Sequence, residues 1–190
     1  MAHDDLIWKL GARTPGNDYR IFRTQFVDAV NPRTGSPKRF SLIESVDWVN
    51  VIALTRDQRV VLVRQYRPGS NSVCLEIPGG MVDPGETPMA AAVRELAEET
   101  GYTGGVWQEL GTVSPNPALN TNRLHTIYAY DVELTQEPAL EDGEHLTVDT
   151  ATLDEIQAKL LVGEIEHALV VVAFGHLAFR QCQLARIEEV

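Results

Sequence analysis

Residues 80–102 read GMVDPGETPMAAAVRELAEETGY and predict a glycine turn, a short loop and one helix. Thr87 fits the N-cap position, Pro88 the first helical position, and Gly101 follows the last turn. A helix over residues 88–100 would be about 20 Å long, since each residue adds ~1.5 Å. The segment therefore predicts one helix with a defined start and a defined end.

The predicted helix has an apolar side and an acidic side. Spaced at ~100° per residue, four residues are expected to face a core: Met89, Val93, Leu96 and Thr100. Glu95, Glu98 and Glu99 lie within about 100° of one another on the opposite side. Such like charges destabilise a helix by roughly 0.2–0.5 kcal/mol per pair, and Arg94 relieves only part of this repulsion. Converging carboxylates are the oxygen ligands that Mg²⁺ binds when a substrate phosphate completes its coordination shell.

A solvated acidic face is the alternative for any Glu-rich helix, but the complete pattern argues against it. Between Gly80 and Tyr102 the sequence has the form Gly-x5-Glu-x7-Arg-Glu-apolar-x-Glu-Glu-x-Gly-apolar. With residue frequencies of roughly 6–7%, a chance match in this chain is on the order of one in a million. The pattern is the Nudix box, and the chain resembles the Nudix hydrolases, which cleave nucleoside diphosphates linked to another group.

The resemblance implies a role for each polar residue of the box. In the family, the carboxylates of the Arg-Glu-x-x-Glu-Glu run bind Mg²⁺ or Mn²⁺. The implied ligand set here is three side chains and one backbone carbonyl: Glu95, Glu98, Glu99 and Gly79. Glu98 is also a candidate catalytic group. Glu86 and Arg94 match an ion pair that orients the carboxylates without touching the metal.

Outside the box, the chain resembles the branch of the family that hydrolyses ADP-ribose and nucleoside diphosphate sugars (NDP-sugars). The matching segments are DWVNVIAL, VVLVRQYRPG, EIPGG and the closing GEIEHALVVVAFGHL. The substrate loop departs from the branch, because residues 114–120 read SPNPALN where Ser-Pro-Gly is frequent. The implied activity is Mg²⁺-dependent hydrolysis of NDP-sugars to a nucleoside monophosphate and a sugar phosphate. The departure favours NDP-sugars in general over ADP-ribose itself.

Further candidates for substrate contacts lie in three segments. Arg64, Tyr66 and Arg67 follow a buried strand and offer phosphate donors and a ring that can stack on a base. Surface solubility is the alternative for these three residues. Glu76 either binds a ribose hydroxyl or satisfies backbone donors in its turn. The polar loop offers contacts to the sugar: Asn116, Pro117, Asn120 and Arg123.

An acidic segment, residues 137–145, carries the candidate catalytic base. Glu144 is the first candidate for positioning or deprotonating the attacking water, because the branch keeps a distal glutamate at this place. Glu141 is the second candidate. Gly143 would allow the loop to close over the metal. A disordered spacer is the alternative for the segment.

The predicted fold is α/β, with a hairpin preceding the main domain. Residues 1–45 are strand-like around a turn at residues 31–37 and predict an antiparallel hairpin. This hairpin is either a dimerisation arm or a lid on the chain's own sheet. In residues 46–190, the box helix between strands and two later helices predict a mixed sheet covered on both faces. This agrees with the Nudix α/β/α sandwich and the homodimer that the resemblance implies.

Composition argues against several classes of protein. The net charge is −11 and no basic run is present, so we expect no nucleic-acid partner. The longest apolar stretch, residues 168–174, is too short to span a membrane. Residues 1–10 do not resemble a signal peptide. Cys74 and Cys182 lie in apolar contexts and predict buried thiols, as in a cytoplasmic protein.

Two alternatives to NDP-sugar hydrolysis are considered. A Nudix-fold module that senses a nucleotide without cleaving it would have no need to tolerate the carboxylate repulsion. Another hydrolase activity, on dinucleoside polyphosphates or 5′-capped RNA, fits the box equally well. The acidic net charge disfavours the RNA substrate.

Overall fold

The computed structural model describes residues 4–140 and 143–188. Contacts divide the chain into two compact units, each formed from two segments. The first unit comprises Met1–Val46 and Ser114–Arg123, and the second comprises Asp47–Val113 and Leu124–Val190.

The first unit contains one antiparallel sheet of three strands: β1 (Lys9–Asp18), β2 (Arg23–Val30) and β3 (Pro37–Glu44). The strands β2 and β3 form the predicted hairpin, and β1 extends it by a third strand. The sequence pattern did not reveal β1 because Gly11, Pro15 and Gly16 interrupt it, and such residues are depleted in strands. Its pairing with β2 is irregular near these positions, after Leu10 and after Pro15.

The polar loop of residues 114–123 joins this sheet through Ile43, at the end of β3. The backbone N–H of Ile43 donates to the carbonyl oxygen of Leu119 at 2.8 Å, and the N–H of Thr121 donates to the carbonyl oxygen of Ile43 at 3.0 Å. Ile43 and Asn120 form a parallel bridge. The loop is therefore held as an extra edge of the first unit.

The second unit is built on a mixed sheet of seven strands: β4 (Trp48–Thr55), β5 (Arg59–Arg67), β6 (Ser72–Glu76), β7 (Gly79–Met81), β8 (Tyr102–Val113), β9 (Leu124–Leu134) and β10 (Leu146–Thr152). The strand order is β10-β5-β4-β9-β8, with β6 also paired to β5 and β7 to β4. The pair β4–β9 is parallel and the remaining pairs are antiparallel. The predicted mixed sheet is confirmed.

Helices cover both faces of this sheet: α1 (Pro88–Thr100), α2 (Leu153–Leu161) and α3 (Ala168–Glu188). Alternate residues of β4 belong to different cores, because successive side chains of a strand point to opposite faces. Val51 lies in the cluster under α1, whereas Ile52 lies in the cluster under α2 and α3. The start of α2 is fixed by a capping box of Thr152 and Glu155. This arrangement is the predicted α/β/α sandwich.

The bounds of the box helix α1 follow from its capping residues, as predicted. The Thr87 hydroxyl accepts a hydrogen bond from the N–H of Ala90 at 3.2 Å. Pro88 begins the helix, where its missing N–H costs nothing. Gly101 ends it with φ 74°, a left-handed conformation that glycine adopts without strain.

The predicted orientation of α1 was partly wrong. Val93 is 42% exposed, although it was expected to face the core. The helix instead packs through Ala91, Ala92 and Leu96, all fully buried. Small alanine side chains let a helix approach a sheet closely, and the prediction considered only the larger apolar residues. Glu99 was expected on the side opposite the core, but it is 5% exposed and lies within the buried face.

Two expectations from composition concern cysteines and membranes. Cys74 is buried, as predicted, whereas Cys182 is exposed, contrary to the prediction. Cys182 lies in α3 beyond Leu177, which packs into the core. Within residues 4–140 and 143–188, no helix is both long and apolar enough to cross a membrane.

Candidate active site

A polar cavity of about 270 Å³ lies in the second unit, between β7, α1 and the segment before β10. We call it the carboxylate cavity. Its wall contains two arginines, five acidic residues, one glutamine and the three residues of β7. These are Gln65, Arg67, Gly79, Gly80, Met81, Asp83, Arg94, Glu95, Glu98, Glu99 and Glu144. The structure therefore gathers the box glutamates and the distal Glu144 around one space.

Glu99 is the most deeply buried acid of the carboxylate cavity. Its Oε2 accepts a hydrogen bond from the N–H of Gly79 at 3.0 Å. Burial, together with the charges of Glu95 and Glu144, raises the pKa of Glu99 to about 8. The Gly79 hydrogen bond and the charge of Arg67 oppose this rise only in part. A buried carboxylate in this setting requires additional positive charge to remain ionised.

Glu95 lies at the wall of the same cavity, directly over β7. Burial raises the pKa of Glu95, and the hydrogen bond from Arg94 opposes the rise. A Cβ added at Gly80 would overlap the Glu95 carboxylate, and one added at Gly79 would overlap the carbonyl oxygen of Val49. The two glycines of β7 therefore let the carboxylates lie against the backbone.

Arg94 connects four groups around the cavity. Its Nε and Nη2 donate to the two carboxylate oxygens of Glu86 at 3.2 and 3.0 Å, and this hydrogen bonding lowers the pKa of Glu86. Its Nη1 donates to Glu95 at 2.9 Å and to Glu98 at 3.1 Å. Its Nη2 also donates to the carbonyl oxygen of Met81. Arg94 thus holds the predicted partner Glu86 and two of the candidate metal ligands.

The donor set of the carboxylate cavity fits a hard divalent cation. Glutamate oxygens and the backbone carbonyl oxygens of the neighbouring strand β7 are suitable ligands for Mg²⁺ or Mn²⁺. In the part of the chain that the structure describes, no three His, Cys, Asp or Glu side chains converge at metal-binding distances. Arg94 instead engages Glu95 and Glu98, so these two side chains would turn away from Arg94 to bind a cation.

Arg67 lies beside the carboxylates in a pair with Glu76. Its Nε and Nη2 donate to the two oxygens of Glu76 at 2.7 and 2.8 Å. Glu76 is 4% exposed, and the planar guanidinium of Arg67 donates to both of its oxygens. The pair raises the pKa of Arg67 and fixes its side chain at the cavity wall.

Arg64 and Tyr66, the other candidates on β5, lie away from the carboxylates. Arg64 Nη2 is 3.5 Å from Asp149 and 3.7 Å from Glu164. Tyr66 is exposed and donates its hydroxyl to Asn71 at 2.7 Å. Neither side chain lines the carboxylate cavity. Of the three candidates on β5, Arg67 alone lines the carboxylate cavity.

The predicted sugar contacts belong to the first unit: Asn116, Pro117, Asn120 and Arg123. Three of these residues make side-chain hydrogen bonds within their own loop, and the Asn116 Oδ1 accepts from the N–H of Ala118 at 3.3 Å. The Asn120 Nδ2 donates to Asn122 at 3.4 Å, and the Arg123 Nη1 donates to Ser114 at 3.0 Å. These bonds stiffen the loop and keep its polar groups ordered.

Of the two candidate bases, the structure describes one. Glu144 lines the carboxylate cavity, and its charge contributes to the raised pKa of both Glu95 and Glu99. Gly143 precedes it with φ 102°, a conformation that favours glycine. Glu141 lies outside the described residues.

A second cavity, of about 310 Å³, adjoins the first and was not predicted. It shares Arg67, Gly79, Gly80 and Met81 with the carboxylate cavity. Its other lining residues are Trp48, Val49, Asn50, Glu76, Ile77, Leu124, His167, Leu169 and Val170. A signal was present in the sequence, because one amide interrupts the otherwise apolar run WVNVIAL. The role of this amide could not be inferred from the sequence, because it depends on which residues pack against β4.

The sandwich fold and the glutamate-lined cavity define a hydrolase of the α/β/α class. Residues 46–171, well over half of the chain, match the family described as the NUDIX domain, and the protein therefore belongs to the Nudix family. The resemblance inferred from the box is confirmed.

Several relatives and one solved structure agree with this assignment. The ADP-sugar pyrophosphatase of Mus musculus is 36% identical over 145 residues, which cover 70% of this chain and 66% of the mouse protein. The ADP-ribose pyrophosphatase of Bacillus subtilis (strain 168) is 25% identical over 162 residues, covering 85% of this chain and 88% of that protein. A crystal structure described as an ADP compounds hydrolase superimposes with a TM-score of 0.80 at 22% identity, over 94% of this chain and 96% of that chain.

Proposed function

We propose that the protein is a divalent-cation-dependent pyrophosphatase that hydrolyses NDP-sugars, with ADP-ribose among the candidate substrates. The products would be a nucleoside monophosphate and a sugar phosphate. The observation that carries the proposal is that Glu95, Glu99 and Glu144 line one cavity together with Arg67. The names of the relatives, an ADP-sugar and an ADP-ribose pyrophosphatase, support the substrate class.

Mg²⁺ or Mn²⁺ would be held by three glutamates and one backbone carbonyl: Glu95, Glu98, Glu99 and Gly79. When bound, the cation supplies charge neutralisation at the phosphoryl oxygens and lowers the pKa of a water molecule. The buried Glu99 supports this role, because the Gly79 hydrogen bond and the charge of Arg67 offset only part of its burial and repulsion. The Glu86–Arg94 pair would orient Glu95 and Glu98 as Arg94 exchanges its contacts with them.

Arg67 would bind a phosphate oxygen of the substrate. Its Nε and Nη2 face Glu76, which leaves its remaining N–H groups available at the cavity wall. A guanidinium held in this way is oriented before substrate arrives, so little rotamer freedom is lost on binding. Arg64 would take part only by giving up its ion pairs with Asp149 and Glu164.

Glu144 would accept the proton of the attacking water, with Glu141 and Glu98 as the other candidate bases. A general base must lie within hydrogen-bond reach of the proton that it removes, directly or through one water. The position of Glu144 at the wall of the carboxylate cavity supports it as the first choice. A water attacking in line with the leaving phosphate would complete the cleavage between the two phosphates.

The remaining candidates for substrate contacts are residues of the polar loop and Tyr66. The polar loop carries the candidate sugar contacts: Asn116, Pro117, Asn120 and Arg123. The exposed ring of Tyr66 would stack on a base. A substrate held partly by stacking is expected to show loose base preference.

We also propose a homodimer in which the three-stranded sheet acts as the arm. All ten residues of β1 are exposed, as are Tyr19 and Ile21. An uncovered edge strand with exposed apolar residues is a common site of association. Sedimentation should give about twice the 21.1 kDa chain mass, and a fully active monomer would contradict the proposal. The two free cysteines, Cys74 and Cys182, support a reducing, cytoplasmic setting.

The function is tested by product analysis on ADP-, GDP- and UDP-sugars, ADP-ribose and diadenosine polyphosphates. We expect a nucleoside monophosphate and a sugar phosphate, with oxygen from labelled water on one of the two phosphates. A tenfold or greater preference for the polyphosphates, or cleavage of the sugar–phosphate bond, would overturn the substrate class. Tight nucleotide binding without turnover would instead support the sensing module.

A further inference from the structure

Asn50 has a buried side-chain amide in which only the nitrogen has a hydrogen-bond partner among the described residues. It lies in β4 and is 6% exposed. Its Nδ2 donates to the backbone carbonyl oxygen of Leu169 at 3.0 Å. A carbonyl oxygen only accepts hydrogen bonds, so the amide orientation is fixed and the other atom must be Oδ1. Among the residues that the structure describes, no group donates to Asn50 Oδ1.

The unsatisfied oxygen has a chemical preference that follows from its geometry. An amide oxygen accepts hydrogen bonds and cannot donate them. Leaving such an atom buried without a donor is unfavourable, and nearly all buried polar atoms in proteins have a partner. An apolar residue at position 50 would match Val49 and Val51 and would leave no buried amide oxygen without a donor, at the loss of the hydrogen bond to Leu169. The partner of Asn50 Oδ1 is therefore expected to be a hydrogen-bond donor brought from outside the chain.

Asn50 lines the second cavity, which has the dimensions of a ligand pocket, and its Oδ1 is covered in this structure, so a ligand reaches it only when neighbouring side chains shift. Its volume of about 310 Å³ lies within the range of roughly 300–1,000 Å³ for small-molecule sites. Apolar side chains dominate the wall, including Trp48, Met81, Leu124 and Val170. A few polar groups in a largely apolar pocket fix the orientation of a ligand and select its chemistry.

The second cavity shares part of its wall with the carboxylate cavity along β7. Gly79, Gly80 and Met81 form a wall of both, and Arg67 borders both. A diphosphate bound at Arg67 and the carboxylates would therefore carry one of its two end groups into the second cavity. The end group is either the base with its ribose or the sugar beyond the second phosphate.

We propose that the second cavity receives an end group of the substrate and that Asn50 Oδ1 selects this group by accepting a hydrogen bond from it. The inference rests on the proposed function, because it requires a substrate with a diphosphate at the carboxylates. Two groups share the required chemistry, an exocyclic amine of the base and a hydroxyl of the sugar. Adenine carries an amine where guanine carries a carbonyl, which would place two acceptors in contact.

A buried water molecule is the competing explanation for Asn50. Waters commonly satisfy buried polar groups, and one water could donate to Oδ1. In that case Asn50 would support the fold alone, and its replacement would affect every substrate equally. The two explanations therefore predict different ratios of kcat/KM between substrates, whereas the overall activity of the variant does not distinguish them.

The test is a double-mutant cycle between Asn50 and the substrate. Values of kcat/KM are measured for ADP-ribose, for its analogue lacking the 6-amino group, and for analogues lacking one terminal-ribose hydroxyl each. The enzymes are the wild type, Asn50→Leu and the control Thr126→Val. Thr126 on β9 is also buried with an unpartnered oxygen, but it does not line the cavity. General loss of activity, including loss of the bond to Leu169, cancels in the ratios.

We expect the wild type and Thr126→Val to lose about tenfold or more in kcat/KM on one analogue. We expect Asn50→Leu to discriminate that analogue by less than about twofold, because no acceptor is left unpaired. Loss on the amine-free analogue identifies the base as the occupant, and loss on a hydroxyl-free analogue identifies the sugar. If Asn50→Leu does not fold, Asn50→Ala provides the same ratio.

Equal ratios in the wild type and the Asn50 variant, for all analogues, would refute the inference while leaving the proposed function intact. Failure of the wild type to cleave any NDP-sugar would refute the proposed function, and this inference with it. The wild-type rate on unmodified ADP-ribose separates these two results.

Discussion

Two buried glutamates stand a short distance apart in the second unit, and their surroundings differ. Glu76 is 4% exposed and is paired through both oxygens with Arg67. Glu99 is 5% exposed but receives only the Gly79 N–H directly, and the charges of Glu95 and Glu144 raise its pKa. Among the residues that the structure describes, Glu76 has a positive partner in direct contact and Glu99 has none.

This difference distinguishes a structural carboxylate from a functional one. A buried charge is tolerated when it is paired, and it is strongly unfavourable when it is not. The pair Arg67–Glu76 satisfies that rule within the chain. Glu99 satisfies it only when positive charge enters the carboxylate cavity, so its burial is consistent with a site prepared for a cation.

The largest effect is expected from Glu99→Gln on catalysis. The substitution keeps the size of the side chain and an acceptor for the Gly79 N–H, but removes the charge that would hold a cation. We expect kcat to fall by about 1,000-fold or more, since a metal contributes several kcal/mol to such reactions. The control is Glu133→Gln, an exposed partner of Arg56, which should leave kcat unchanged. Near-normal turnover by Glu99→Gln would mean that the site is misassigned.

The next effect concerns stability, and it comes from breaking the paired glutamate. Arg67→Met leaves Glu76 buried without a partner, so the free energy of unfolding should fall by about 3 kcal/mol. Asp28→Asn breaks the exposed pair with Arg39 and should lower the free energy of unfolding much less, because solvent screens the pair. Urea denaturation measures both. Equal small losses would show that burial does not distinguish Glu76 from a surface carboxylate.

A smaller effect on rate is expected at the loop before β10. Glu144→Gln removes the proposed base and should lower kcat by about 100-fold, whereas Glu141→Gln should change it by less than about threefold. The KM of the substrate should change little in either variant. A larger loss in Glu141→Gln would assign the base to that residue. Equal, small losses in both would mean that neither residue is the base.

The stability of the metal-free protein is expected to depend on pH through Glu99. The pKa of Glu99 in the folded protein is about 8, above the ordinary value of 4.5, so the folded state holds its proton more tightly than the unfolded chain. Its contribution to stability is complete below about pH 4.5 and is lost as the pH rises towards 8, by up to ~1.4 kcal/mol per pH unit. Urea denaturation in EDTA should show this fall in the wild type and a weaker one in Glu99→Gln. Parallel curves would contradict the raised pKa.

Much of the fold could be predicted because local residues determine it. Thr87, Pro88 and Gly101 define the ends of α1 through capping, independently of the rest of the chain. The strand-like residues on both sides of the turn at residues 31–37 predicted the hairpin that β2 and β3 form. The spacing of the box residues identified the family.

The predictions that failed or were incomplete depended on tertiary packing. Burial of Glu99 follows from close approach of two alanines to the sheet, which no helical periodicity specifies. Arg64 and Arg67 were equivalent candidates until the pairing of β5 with β6 and β10 placed their side chains differently. The open acceptor of Asn50 depends on the distant carbonyl of Leu169. Each of these features requires the register between elements, and local patterns do not contain it.

The central claim is that the unpaired charge of Glu99 is completed by a divalent cation. The most direct measurement is the Tm of the wild type and of Glu99→Gln at neutral pH, in EDTA and in millimolar Mg²⁺. Without metal, Glu99→Gln should melt above the wild type, because it removes a repelled buried carboxylate. Mg²⁺ should raise the Tm of the wild type by several degrees and leave that of Glu99→Gln nearly unchanged. An equal Mg²⁺ shift in the two proteins, or a metal-free variant that melts below the wild type, would contradict the claim.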